Sequence, residues 1–230
     1  MHQLTILIAT PYSRNDVLEH NIRKLLPDYQ IVRIKHRDEL TLEILRKYEP
    51  EFIFFPHWSW IIPQEIFTTF DCVIFHMTDL PYGRGGSPLQ NLVVRGHKDT
   101  MMSALKCEAE MDAGPIYLKM PLSLNGSAEQ ILKRASSLIE KMIVEIVKKK
   151  PIPHAQQGEV VEFKRRKPED GNLAGLTELD QIYDYIRMLD GEGYPPAFLQ
   201  ENHIIYEFTD AITTADFIEV KVKIRKNDNE

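Results

Sequence analysis

The chain has 230 residues, 43 % of them hydrophobic, which is enough for one large domain or one domain with a small appendage and too apolar for a disordered chain. Its two cysteines, Cys72 and Cys107, share no motif spacing and its eight histidines are scattered, which argues against a disulfide framework and against a metal site. The net charge of −6 is uneven: residues 151–230 carry nine Lys and Arg against sixteen Asp and Glu, a net of −7, while the first 150 balance at +1.

Short apolar runs alternate with amphipathic segments through the first half, the pattern of βαβ units on a mostly parallel sheet. LTILIA (4–9) reads as a buried strand. It lacks a basic lead-in and falls far short of the roughly twenty apolar residues of a membrane span, so a soluble, cytoplasmic protein is expected. A helix follows near Asp16–Leu26 with Asn15 as N-cap, then QIVRI (30–34) as a strand and Asp38–Tyr48 as a helix. EFIFF (51–55), stopped by Pro56, and CVIF (72–75) are the third and fourth strands. The turn after LTILIA reads ATPYSRND, so a dinucleotide site lacks its glycine-rich pyrophosphate turn.

After His76 the segment LPYGRGGSP carries three glycines and two prolines in nine residues, a loop with special backbone angles and exposed N–H groups. Leu89–Arg95 reads as a helix ending at Gly96, and a strand near Met101–Cys107 leads into a second glycine turn, MDAGPIYLK, and another strand. The clearest element is a helix from Ser127 to about Lys149. Ser127 and Gln130 form a capping box, and Ile131, Leu132, Ala135, Leu138, Ile139, Met142, Ile143, Ile146 and Val147 form its apolar stripe. Lys148–Lys150 suit its negative end and Pro151 closes it. Pro151, Pro153 and the polar QQGE mark a domain boundary, dividing the chain into 1–153 and 154–230. Beyond a charged linker, FKRRKPEDGNL, a helix near Leu179–Leu189 and the strands HIIYEF and DFIEVKVKI predict a small β-rich domain.

His76 stands at the carboxyl end of a strand, where side chains face the ligand crevice of a parallel sheet. A histidine there either exchanges a proton near neutral pH or caps strand backbone groups. Asp112 stands in a tight turn ahead of Gly114 and by itself is equally an Asx-turn residue.

Together these stretches resemble the formyltransferase family that uses 10-formyltetrahydrofolate. That family runs Asn-x-His-x-Ser-x-Leu-Pro, a glycine loop and Pro, and later Asp-x-Gly-x-Ile. HMTDLPYGRGGSP supplies the His, Leu-Pro, Arg-Gly and later Pro, and MDAGPI follows with Asp112 thirty-six residues after His76. The resemblance covers residues 50–150 and implies a Rossmann-like, mostly parallel twisted sheet with helices on both faces, without a metal. It implies that a substrate amine attacks the formyl carbon on N10, that His76 manages the proton, and that Asp112 orients or charge-couples the imidazole. Backbone around Arg84, Gly85, Gly86 and Ser87, and the turn from Cys107 through Met111 to Asp112, would border the pterin. Trp58, in FPHWSWIIP, falls where the family lines its folate pocket; Trp58 and Trp60 equally suit core packing, and His57 suits a structural role.

One position departs from the pattern. Ile74 stands where the family carries its catalytic Asn, and Thr78 where Ser is usual. An isoleucine donates no hydrogen bond to an oxyanion, a loss worth about 2–4 kcal/mol of transition-state stabilisation. Asn91 and Thr78 are the nearest replacements in sequence. Two acceptors compete within the family, methionyl-tRNA and a nucleotide-linked amino sugar. Proteins that grip tRNA cluster Lys and Arg against phosphates, so the acidic C-terminal third favours the small amino-sugar nucleotide. KRRKPEDG with IYDYIRMLDGEGYPPAFL also resembles the linker and domain start of the sugar-nucleotide enzymes, though Lys164–Lys167 equally reads as a solvated linker. Hydrolysis of the formyl-folate, or folate binding without turnover, are the other readings. The C-terminal domain is expected to serve substrate recognition or homodimer contacts.

Overall fold

The apolar run Leu4–Ala9 forms β1, and Ile6 to Ala9 are fully buried. A parallel strand covered on both faces reads as such an unbroken run. β1 pairs in parallel with β2 (Tyr29–Ile34) on one side and β3 (Phe52–Phe55) on the other, so that Ile6 lies opposite both Ile31 and Phe52. β3 is parallel to β4 (Cys72–His76), with Ile53 opposite Cys72. The short β5 (Tyr82–Gly85) leaves this sheet, and β6 (Asp99–Lys106) returns antiparallel to β4, placing Ser103 opposite His76. β7 (Ile116–Ser123) completes the order β2-β1-β3-β4-β6-β7. The expected mostly parallel α/β sheet is thus present, with one antiparallel strand where β6 enters.

The structure is a computed structural model that describes residues 3–227, and these form two units, each assembled from separated stretches. The first holds the chain up to Gly85 with Thr100–Leu122 and Lys133–Glu162; the second holds Gly86–Asp99, Ser123–Leu132 and the chain from Phe163.

Two helix starts differ from expectation. α1 spans Asp16–Leu25, but Asn15 caps nothing with its side chain. Asn15 is fully buried, and its amide instead donates to Thr10 Oγ1 at 2.6 Å and accepts from Ser136 Oγ at 2.9 Å. A buried amide must find partners where it sits, and these outcompete the helix end. The second helix, α2, starts only at Leu42, where Thr41 Oγ1 accepts the Ile44 N–H. Arg37–Glu39 is a separate 3-10 turn, because the Glu39 carboxylate takes the Lys35 and His36 N–H groups and holds the chain short of a helix. α3 (Gln64–Phe67) and β5 were not foreseen, and α4 is Pro88–Val94, closed by Gly96 at φ 79°.

α5 (Ala128–Lys149) carries the expected capping box: the Ser127 N–H donates to Gln130 Oε1 and the Gln130 N–H to Ser127 Oγ. Its stripe is buried at Ile131, Leu132, Ala135, Ile139, Met142, Ile143, Ile146 and Val147, with Leu138 half-buried. β8 (Val161–Phe163) follows. In the second unit α6 (Leu179–Arg187) contributes Ile186 to a core with Val93, Leu173, Met188, Leu189 and Ala197. The antiparallel sheet there runs β11-β10-β9, from β9 (Ala197–Glu201), β10 (Ile204–Thr213) and β11 (Ile218–Lys226). Arg187 is buried in this unit, its guanidinium donating to the Leu124 and Gly126 carbonyls at 2.6 and 2.9 Å and to Asp184 at 2.6 Å.

Ile139 is fully buried and Lys141, two residues on, is exposed. Urea unfolding should find Ile139→Ala less stable by about 2–5 kcal/mol, and Lys141→Ala within about 0.5 kcal/mol of the parent.

Candidate active site

β4 brings its last residue, His76, to the sheet's carboxyl end while remaining 7 % exposed. The chain then turns through a cis Leu80–Pro81 bond and comes back as β5, so the Gly83 carbonyl meets His76 Nε2 at 2.8 Å. A carbonyl only accepts, so Nε2 carries a hydrogen. The other ring nitrogen, Nδ1, lies 3.5 Å from Asp112 Oδ2. In the neutral ring that nitrogen is the basic one, and when it takes a proton it faces a carboxylate. His76 and Asp112, thirty-six positions apart, therefore close into a pair, with 8 % and 12 % of the two side chains exposed.

Asp112 reaches this place by an uncommon backbone, φ 53°, in the left-handed region that Asp tolerates better than most residues. Its Oδ2 accepts the Gly85 N–H at 2.9 Å. Gly114 explains the glycine of the turn: a Cβ there would lie 1.9 Å from the Lys106 carbonyl oxygen. Arg84 extends its guanidinium to Gln156 Oε1 at 3.1 and 2.9 Å and to Glu110 at 2.9 Å, and Gln156 Nε2 donates to the carbonyls of Asp112 and Gly114. Gln156 was read only as part of the polar QQGE stretch; nothing in its spacing marked it.

Trp58, Cys107 and Ile74 share one apolar cluster with Phe55 and Cys72. Trp58 packs edge-on against Phe55 at 5.7 Å and Trp60 at 4.8 Å, and its Nε1 is buried without a hydrogen-bond partner among the described residues. Burial, helped by the Asp112 charge, pushes the Cys107 thiol up to about 11, so it stays a neutral thiol. Met111, next to Asp112, is 67 % exposed. Ile74 lies two residues before His76 on the same face of β4, so an alkyl group occupies the position where a hydrogen-bond donor was looked for. Of the two replacements considered, Thr78 is buried beside His76, its Oγ1 3.4 Å from the same Gly83 carbonyl. Asn91 is committed elsewhere: its amide hydrogens go to the carbonyls of Gly86, Ser87 and Lys164.

Gly86 and Ser87 belong to the second unit. A Cβ on Gly86 would meet Arg165 Cβ at 2.5 Å, and Ser87 Oγ accepts the Arg166 N–H at 3.0 Å, so both fasten the KRRK segment to the start of α4. Arg95 lies over the Phe163 ring in the same corner, at 4.5 Å.

His57 follows β3 at φ 53° and ends a buried polar chain: Nε2 meets Ser136 Oγ at 3.3 Å, Ser136 donates to Asn15, and Asn15 to Thr10. Burial, with the Arg14 charge second, lowers its pKa from 6.5 to about 3. The group is neutral throughout the physiological range.

The fold is thus a Rossmann-like α/β sheet with a histidine–carboxylate pair at its carboxyl end. A family profile described as formyl transferase matches residues 11–147, and one described as the C-terminal domain of methionyl-tRNA formyltransferase matches residues 168–225. The chain belongs to the formyl transferase family. A methionyl-tRNA formyltransferase structure from Clostridium thermocellum is 48 % identical, with TM-score 0.94 over 97 % of this chain and 99 % of that one. The methionyl-tRNA formyltransferase of Thermodesulfovibrio yellowstonii is 28 % identical over 66 % of this chain and 52 % of its own length. The chain spans about half the length of the curated relatives it matches. HypX from Aquifex aeolicus in complex with tetrahydrofolic acid superposes with TM-score 0.73 over 91 % of this chain and 38 % of that one, and at 16 % identity the likeness is one of fold. Among the described residues no helix is long and apolar enough to cross a membrane.

Two tests follow from the geometry. Gly114→Ala should cost about 1–3 kcal/mol in urea unfolding, since the Lys106 carbonyl has to move. The His57 contribution to stability is complete above pH 6.5, the value of the unburied ring, and is lost as pH falls towards 3, because only the unfolded chain binds that proton in this window. Thermal midpoints between pH 7 and 4 should therefore fall less steeply in His57→Asn than in the parent.

Proposed function

We propose that this chain transfers a formyl group from N10 of 10-formyltetrahydrofolate to a primary amine, with His76 and Asp112 as its catalytic residues. The observation that carries this is the family match together with the closed His76–Asp112 pair, 3.5 Å apart and largely shielded from water. The amine gains a bond to the formyl carbon, N10 loses its bond to that carbon, and one proton passes from the amine to N10. His76 Nδ1 takes the proton and the Asp112 carboxylate holds the charged ring in place. Trp58, with an unpartnered buried N–H, and the Cys107–Asp112 turn, with Met111 exposed on it, are a fitting border for a flat heteroaromatic donor. Arg84 and Gly85 act from behind as supports of the Asp112 turn, and Gly86 and Ser87 hold the chain entering α4.

For the acceptor, the relatives reverse the order drawn from charge. A protein 48 % identical over nearly the whole chain is a methionyl-tRNA formyltransferase, and so are the curated relatives from Thermodesulfovibrio yellowstonii, Clostridium perfringens and Wolinella succinogenes, so methionyl-tRNA is the first acceptor to test. A nucleotide-linked amino sugar is the second reading, and β11 favours it. Three of its four basic side chains face β10 carboxylates: Lys221 meets Asp210 at 3.9 Å, and Lys223 and Arg225 share Glu207 at 3.7 and 2.6 Å. Paired cations release few counterions and grip phosphates weakly.

The purified protein, given 10-formyltetrahydrofolate, should formylate methionyl-tRNA in preference to amino-sugar nucleotides, as read by mass spectrometry of the acceptor. His76→Ala should lower kcat/KM by about 100-fold or more, and Asp112→Asn should also lower it. Turnover unchanged in His76→Ala would refute the catalytic assignment. Formate release without any amine would identify a hydrolase, and donor binding without turnover a binding protein.

A further inference from the structure

Arg84 and Asp112 meet at a residue that no motif marks. Gln156 lies on the segment after α5, and two residues earlier His154 forms an antiparallel bridge with Ile116 at the start of β7, its N–H and carbonyl both paired. That bridge anchors the segment beside the Asp112 turn. The Gln156 side chain then works in both directions. Nε2 donates to the Asp112 carbonyl at 2.7 Å and to the Gly114 carbonyl at 2.9 Å, while Oε1 accepts two Arg84 N–H groups at 3.1 and 2.9 Å. Only this orientation of the amide is chemically consistent, because the flipped one sets oxygen against two carbonyls and NH2 against a guanidinium.

The contacts form a closed ring. From Gln156 it passes to the Asp112 turn, from the Asp112 carboxylate to the Gly85 N–H at 2.9 Å, along the chain to Arg84, and from the guanidinium back to Gln156. Two consequences follow for the pair on which the proposed reaction rests. Asp112 keeps a left-handed backbone at φ 53°, less favourable than the ordinary regions even for Asp, and Gln156 grips that residue's own carbonyl. The same ring fixes β5, which supplies Gly83 to His76 Nε2 and Gly85 to Asp112. One side chain therefore sets the spacing of both partners.

We propose that Gln156 is the positioning residue of this site: it touches neither His76 nor the reacting groups but sets where the Asp112 carboxylate stands relative to the imidazole. This rests on His76 and Asp112 being the catalytic pair, and it predicts which half of the amide matters. Gln156→Met keeps the length and loses every hydrogen bond. Gln156→Glu keeps the acceptor for Arg84, with added charge, but loses both N–H donors and sets a carboxylate oxygen against two carbonyls.

The test measures formyl transfer and, separately, hydrogen exchange of the Gly85 amide by NMR in the ligand-free protein. Both variants are expected to lower kcat by about tenfold or more, with KM for the formyl donor changed less than about twofold. Gly85 exchange should accelerate by about tenfold, the worth of one net hydrogen bond, while the thermal midpoint moves only a few degrees. Wild-type kcat in Gln156→Glu, or unchanged Gly85 exchange in both variants, overturns the proposal. So does a fall in activity that merely follows a collapse of the thermal midpoint in both. If the parent formylates no amine, the proposed function fails instead, and Gly85 exchange alone judges whether Gln156 holds the turn.

Discussion

The Asp112 carboxylate stands 3.5 Å from His76 Nδ1 because the chain on either side of it is held in a shape that few residues accept. Asp112 is left-handed, and Gly114 passes so close to the Lys106 carbonyl that no side chain fits. The Asp-x-Gly motif is thus a statement about backbone: Asp because it tolerates the left-handed region, Gly because the turn must press against the end of β6. The strength of the resulting pair is modest in itself. What matters is that each partner's alternatives are closed off, His76 by the Gly83 carbonyl and Asp112 by the Gly85 N–H. A pair assembled this way has little freedom to rearrange.

Around that pair the fold separates polar from apolar functions. Cys107 lies in the buried apolar cluster, and the partly buried Ile74 and Trp58 pack against it. The ends of β1 and β3 instead carry the Thr10–Asn15–Ser136–His57 chain, in which every link is a hydrogen bond and the imidazole is kept neutral by burial. His57 and His76 differ accordingly. His57 has a hydroxyl partner and no carboxylate in its chain, whereas His76 has the Asp112 carboxylate 3.5 Å from its Nδ1.

Family membership and mechanism do not determine the acceptor, and the observations pull in two directions. The relatives named above include methionyl-tRNA formyltransferases, while the C-terminal stretch is net acidic and three of the four cations of β11 face carboxylates on β10. Net charge is a legitimate guide to non-specific attraction for phosphates, but recognition of one acceptor stem depends on a few placed groups. The relative's near-complete alignment therefore outweighs the charge count in choosing which acceptor to test first.

Apolar periodicity and punctuation determined much by themselves. The unbroken run of β1, the stripe and capping box of α5, and the His-to-Asp interval with its two glycine turns all follow from local chemistry, because a strand's burial, a helix's end and a turn's backbone are each decided within a few residues. The start of α2 and the role of Asn15 did not, since in both places side chains from neighbouring residues or distant elements took the backbone or amide groups that a local reading assigned to a helix end. Tertiary structure alone decided that Asn91 is spent on three carbonyls, that Arg84 serves Gln156, and that Gln156, forty-four positions beyond Asp112, closes the ring around it. Hydrogen bonds between segments remote in sequence leave no period to read; they exist only once the sheet has brought the segments together.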